Sequence, residues 1–223
     1  MKVIITGSTG MVGKGVLMEC LKHPKVEQVL VINRSSLNME HPKLKEILCN
    51  DFLNISSIKN DLKNYDACFH CMGVSSVGKN EEEYAKFTYS ITKELADSIF
   101  SVNPNCVFNY VSGTGTDSTE KGKVMWARVK GKTENMVLNK GFKDAYMFRL
   151  GGIIPAKGIK SKTGWINILL ILFKPLYPLM KKMKSITTSE QIGVAMINSV
   201  LFPSELKVLE NPEVNLLAGK REL

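Results

Sequence analysis

The sequence predicts an α/β fold, a doubly wound parallel sheet with a small C-terminal cap on the substrate side. Three observations point to it. Apolar, β-branched runs alternate with helical patterns through the first 155 residues. The runs are almost continuously apolar, as strands buried on both faces must be. Glycines at positions 7, 10 and 13 fall between the first strand and the first helix, where folds of this plan carry a phosphate-binding turn. A chain of 223 residues with 44% hydrophobic and 23% charged side chains has the balance of one globular domain and too much apolar material for a disordered chain.

The elements follow in order. "KVIITG" is a strand, and a helix runs from about Val12 to Lys22. "EQVLVIN" and "LKEILCN" are the next strands, followed by a short helix near Ser56 to Leu62 and the strand "DACFHCMG". A helix from about Glu81 to Phe100 leads to the strand "CVFNYVSG", and a helix from about Val124 to Asn139 leads to "DAYMFRLGG". Six such strands joined by helices make a sheet covered on both sides, the Rossmann fold. After Arg149 the pattern becomes a Gly/Lys loop, "LGGIIPAKGIKSKTGW", and then two helical segments. Pro175 and Pro178 break the first of these. In the second, Thr188 and Gln191 have capping-box spacing. The expected division is a dinucleotide-binding part over 1–155 and a helical cap over 156–223, integral to the same domain.

Composition narrows the function. The chain passes from Met1 and Lys2 straight into a strand whose apolar run is too short for a signal h-region, so a cytoplasmic location is expected. Five cysteines, Cys20, Cys49, Cys68, Cys71 and Cys106, are odd in number, and most fall in apolar runs, which reads as reduced, buried thiols. Cys68 and Cys71 form a C-x-x-C on a strand, with no second Cys/His pair at zinc spacing, so no metal is expected. The net charge is +9 and is unevenly placed. No Asp or Glu lies between Asp144 and Glu190, whereas Lys157, Lys160, Lys162, Lys174, Lys181, Lys182 and Lys184 do. Such a stretch fits an anionic partner or a solvated lysine face. Nucleic acid is not expected, because no reading helix or aromatic-basic interleaving is present. The segment 165–184, "WINILLILFKPLYPLMKKMK", is interrupted by Lys174 too early to span a bilayer. It fits either an anionic membrane surface, apolar side down, or a helix packed beside a substrate pocket.

The motif "ITGSTGMVGKG" carries the chemistry. Gly7, Thr9, Gly10, Met11, Val12 and Gly13 make a strand-turn-helix junction whose backbone approaches a pyrophosphate and whose helix N–H groups hold it. At the end of the second strand, where an NAD site has an acidic residue for the ribose 2′-OH, this chain has Asn33 and Arg34. A guanidinium matches a 2′-phosphate in charge and fork geometry, so NADP is expected over NAD. A plain surface arginine is the bland alternative.

The order T-G-x-x-G-x-x-G, "NR", "NDF", "CMG", "YVSG", "ARVKGKTE" and "FRLGGIIP" resembles the atypical and extended short-chain dehydrogenase/reductase superfamily, near its NAD-dependent epimerase/dehydratase and NmrA-like members. The resemblance covers roughly the first 155 residues. It implies that Asp51 and Phe52 flank the adenine, that Met72 and Gly73 lie beside the cofactor ribose and phosphates, that Ser112 lies near the substrate carbonyl, and that Lys130 holds the nicotinamide ribose. The family's catalytic tyrosine falls on Trp126. An indole N–H only donates and is no acid near neutral pH, so the usual proton relay is missing. Candidate replacements are Ser112, Thr114, Tyr84 and Tyr89, with Tyr84 the best on chemical grounds. Two readings follow: an NADP-dependent oxidoreductase or epimerase-like enzyme for a small or amphiphilic carbonyl compound, or an NADPH-sensing regulator with little or no turnover.

Overall fold

The structure, a computed structural model, describes residues 1–156, 158, 172, 177–180 and 183–221. Its centre is a seven-stranded sheet. The strands are β1 (Lys2–Thr6), β2 (Gln28–Asn33), β3 (Leu44–Leu48), β4 (Ala67–His70), β5 (Val107–Gly113), β6 (Asp144–Leu150) and β9 (Val208–Glu210). They lie in the order β3-β2-β1-β4-β5-β6-β9, and every pairing is parallel. Two short strands, β7 (Gly152–Ile154) and β8 (Ile186–Thr188), pair by themselves.

Strand period dictates the two cores. In β1, Val3 and Ile5 face one side while Ile4 faces the other, and β2 repeats this with Val29 and Val31 against Leu30 and Ile32. Continuous apolar runs thus feed both faces at once. On the first face lie α1 (Met11–Lys22), α6 (Ser189–Leu201) and α7 (Asn211–Ala218), with Val16, Leu17, Ile192 and Met196 in one core. On the second lie a 3-10 turn (Ser56–Leu62), α3 (Ile91–Val102) and α4 (Met125–Leu138), with Leu95, Phe108 and Val137 in the other. The α3 helix is preceded without a break by α2 (Glu81–Ala85) and a π-helical turn (Lys86–Ser90). A further short helix, α5, covers Tyr177–Met180.

The six expected strands and the four helices between them are present. The C-terminal residues do more than cap. β9 hydrogen-bonds to β6 as the sheet's last strand, and α6 packs on α1. Gly15 and Gly193 permit that approach: a Cβ at Gly15 would sit 2.5 Å from the Ser189 Cβ, and one at Gly193 would sit 2.9 Å from the Glu19 Cβ. Thr188 caps α6, its hydroxyl accepting from the Gln191 N–H at 3.1 Å while the Gln191 side chain accepts from the Thr188 N–H. Most of the segment 165–184 lies outside the described residues. Among the described residues no helix is long and apolar enough to cross a membrane.

Candidate dinucleotide site

The strand order reverses direction between β1 and β4, and the crevice at that switch point is where open parallel sheets bind ligands. Gly7 leaves β1 with φ +73°, and a Cβ there would lie 2.7 Å from the Cys71 carbonyl carbon. A Cβ on Gly13 would lie 2.2 Å from the Gly7 oxygen. Both clashes are with backbone, so neither glycine can be replaced without moving the turn. Gly10 caps α1 and makes no side-chain cap bond, so the first-turn N–H groups of Met11, Val12 and Gly13 lack intrahelical acceptors, at the end of the helix that begins beside the cavity-lining Gly10. This cradle fits a pyrophosphate.

Beside the cradle is a cavity of about 220 Å³. Its wall includes Gly7, Thr9, Gly10, Arg34, Asp51, Phe52, Met72, Gly73, Phe87 and Ile91. Asn33, also on the lining, is 4% exposed and turned into a network. It accepts from the Ser8 hydroxyl at 2.8 Å and donates to Glu46 at 3.2 Å. Glu46 also accepts from the Ser36 hydroxyl at 2.6 Å and from the Leu37 N–H at 3.0 Å. Burial opposes its charge, but those hydrogen bonds outweigh it and hold the carboxyl below its usual range. Glu46 thereby ties down the chain on both sides of Arg34, whose side chain is exposed.

The residues expected to carry the chemistry lie further along, where β5 meets α4. Helical spacing puts Trp126, Lys130 and Glu134 on one stripe of α4. Trp126 lies against the turn at Gly115, whose Cβ would be 3.5 Å from the indole ring. The Lys130 amine sits over the Tyr110 ring, 6.0 Å from its centre. Desolvation lowers its pKa to about 8, with Glu134 working in the opposite direction. Ser112 is buried, and its hydroxyl donates to Glu134 at 2.5 Å. Arg149 completes the pairing through its Nε at 3.1 Å and its Nη2 at 2.5 Å from the same carboxylate, and also donates to the Ser118 hydroxyl. The Ser112 proton is therefore committed to an internal ion pair.

Tyr84 is 2% exposed, packed inward from α2, and burial raises its pKa. That position removes the accessibility its expected role needs. Tyr89 faces Lys132, whose amine lies 5.0 Å from the ring centre. Thr114 is the exposed hydroxyl of this region, donating to Glu210 at 2.9 Å. Sequence reasoning missed the wall residues Phe87 and Ile91, the Glu210 partner, and His70 on β4. The five cysteines are free thiols, all buried except the half-buried Cys71.

Sheet, glycine turn and helix N-terminus together define an NAD(P)-binding α/β protein of the short-chain dehydrogenase/reductase kind. The NAD dependent epimerase/dehydratase family model matches residues 3–120, more than half of the chain, and the chain belongs to that family. A curated relative, Protein FMP52, mitochondrial, of Meyerozyma guilliermondii, is 23% identical over 98% of this chain and 92% of its own length. The Helicobacter pylori ADP-L-glycero-D-manno-heptose-6-epimerase superposes with a TM-score of 0.69 at 17% identity, covering 98% of this chain and 82% of that one. The Bordetella bronchiseptica enzyme WbmH, solved in complex with NAD+, superposes with a TM-score of 0.66 at 15% identity, over 90% of this chain and 72% of its own. At such identities the two solved structures establish the shared fold.

Proposed function

We propose that this chain binds NADPH in preference to NADH and acts as an oxidoreductase or epimerase-like protein on a small or amphiphilic carbonyl compound, through an atypical site. The observation that carries the cofactor preference is Arg34, exposed at the cavity rim where an NAD site has a carboxylate. The family model is that of an NAD dependent family, so this preference is a property of the local residues. When bound, the dinucleotide supplies the redox chemistry. The glycine turn and the α1 N-terminus would hold its pyrophosphate, Asp51 and Phe52 would flank the adenine, and Lys130 would hold the ribose hydroxyls. Titration of both cofactors tests the assignment. Removal of a charge-assisted contact in Arg34→Ala should cost NADPH about tenfold to a hundredfold in affinity and leave NADH nearly unchanged. Equal affinities in the wild-type protein would refute it.

A second reading is favoured by two specific observations. Trp126 carries no hydroxyl, and the Ser112 hydroxyl is held by Glu134. A dinucleotide site in which neither Trp126 nor Ser112 offers a free proton suits a sensor that reports NADPH to a partner without consuming it. Cofactor consumption separates the two readings. The name of the yeast relative supports a mitochondrial location as the alternative to the cytoplasm, and fluorescent tagging distinguishes them.

A further inference from the structure

Behind the cavity, His70 links three elements that the chemistry above does not use. Its Nδ1 is 2.6 Å from the Thr6 hydroxyl on β1, and its Nε2 is 2.9 Å from the Thr92 hydroxyl on α3. The Thr92 hydroxyl in turn donates to the Thr88 carbonyl at 2.6 Å. A hydroxyl has one proton, so Thr92 can only accept from the ring. His70 therefore carries its proton on Nε2, and Thr6 donates to Nδ1. Every partner is buried. The ring is stacked on Tyr110, with centres 5.7 Å apart and planes at 20°. Its neutral form is held by desolvation and by the Lys130 charge, which keeps the donor and acceptor ends distinct.

The two ends of this chain of bonds each adjoin residues that line the cavity. Thr6 immediately precedes the Gly7 turn, and its carbonyl accepts at 3.1 Å from the N–H of Cys71, a lining residue. Thr88 lies in the π-helical turn and Thr92 just after it, each next in sequence to a wall residue, Phe87 and Ile91. The π turn gives this arrangement its phase. In an α-helix, residues four apart drift by about 40° at each step. The wider turn removes much of that drift, so Tyr84, Thr88 and Thr92 are all buried on the inner side while Phe87 and Ile91 both line the cavity.

We infer that His70 and Thr92 are positioning residues: their buried hydrogen bonds fasten the π turn to the ends of β1 and β4 and so fix the Phe87 and Ile91 wall against which the adenine ring packs. The inference rests on the reading of the cavity as a dinucleotide site. Thr92→Val keeps the shape and removes the bonds, while Thr92→Ser keeps the hydroxyl. Ser199→Ala is the control, because the buried Ser199 hydroxyl donates to the Met196 carbonyl within α6 and Ser199 is not among the cavity-lining residues. Calorimetric titration with ADP and with NADPH, at a temperature where every variant is folded, should show about a tenfold loss for Thr92→Val and less than about a threefold loss for Thr92→Ser and Ser199→Ala. If Thr92→Val does not fold, Thr92→Ala serves in its place with the same expectation. Nitrogen NMR of the free protein should find the His70 proton on Nε2. Losses equal in Thr92→Val and Ser199→Ala, or the opposite tautomer, would overturn the positioning role. Failure of the wild-type protein to bind either nucleotide would overturn the cofactor reading instead, and the inference with it.

Discussion

Trp126 and Ser112 show how far single residues can be read. The glycine turn was legible because its spacing is a backbone requirement, and the clashes at Gly7 and Gly13 are the physical form of that requirement. The shared helix of Lys130 and Trp126 was legible from their spacing. The engagement of Ser112 was not, because it depends on Glu134 and Arg149 meeting under β5, a contact between strands and a helix far apart in sequence. The burial of Tyr84 was not legible for a similar reason: helical spacing alone does not say which face of α2 turns inward. These placements sharpen one expectation. With Trp126 unable to supply a proton and Ser112 occupied, turnover of generic aldehydes and ketones should be weak, since losing a positioned general acid costs about 10²–10⁴-fold. Trp126→Tyr returns a hydroxyl one turn from Lys130. Its NADPH-dependent reduction of simple carbonyls, followed by absorbance, should exceed that of the wild-type protein by about tenfold or more within that range. No gain, with NADPH binding intact in both proteins, would favour the sensor.

At the scale of elements, the sheet from β1 to β6 was readable because each strand is a continuous apolar run between turn signals. The three remaining strands, β7, β8 and β9, have three residues each, too few for a period to show. β9 forms because Lys207 and Val208 fall beside β6, the Lys207 carbonyl accepting from the Met147 N–H at 2.7 Å. The π turn was illegible because one additional residue per turn leaves the apolar pattern of a helix nearly unchanged. The segment 165–184 raises a separate expectation. Among its described residues Leu172, Leu179 and Met183 are exposed, with Tyr177 and Met180 half-buried, and the sequence around them is rich in lysine and free of acidic residues. Apolar side chains and cations on one segment suit an anionic lipid surface. The protein should therefore sediment with anionic vesicles at low salt, be released as salt screens the lysines, and ignore neutral vesicles. Protein left in the supernatant at low salt would assign the segment to packing on the domain.

At the scale of the whole molecule, buried bases set how the fold responds to acid. Desolvation, aided by the Lys130 charge, lowers the His70 pKa from 6.5 to about 3. Above the unfolded value the ring is neutral in both states and costs nothing. As pH falls below it, the unfolded chain takes up a proton that the folded chain refuses, so stability falls until the folded pKa is reached. Lys130 acts elsewhere on the scale. Its folded pKa of about 8 lies below the ordinary value of 10.5, so its penalty is complete by neutral pH and adds no slope in acid. The carboxyls of Asp97 and Asp117, held below their usual range by hydrogen bonds that outweigh desolvation, also lose stabilising charge in acid, but they do so whatever stands at position 70. A His70→Gln variant isolates the imidazole. It should be less stable than the wild-type protein near pH 7, having lost the Thr6 and Thr92 bonds in their native geometry. Its stability should then decline less steeply, the difference in slope approaching about 1.4 kcal/mol per pH unit between about pH 6 and about pH 4. Urea midpoints measured across that interval would show two curves converging. Parallel curves would mean that the ring gains its proton as readily in the folded state, through an opening of the second face that the packing of His70 under Phe108 and Tyr110 does not provide.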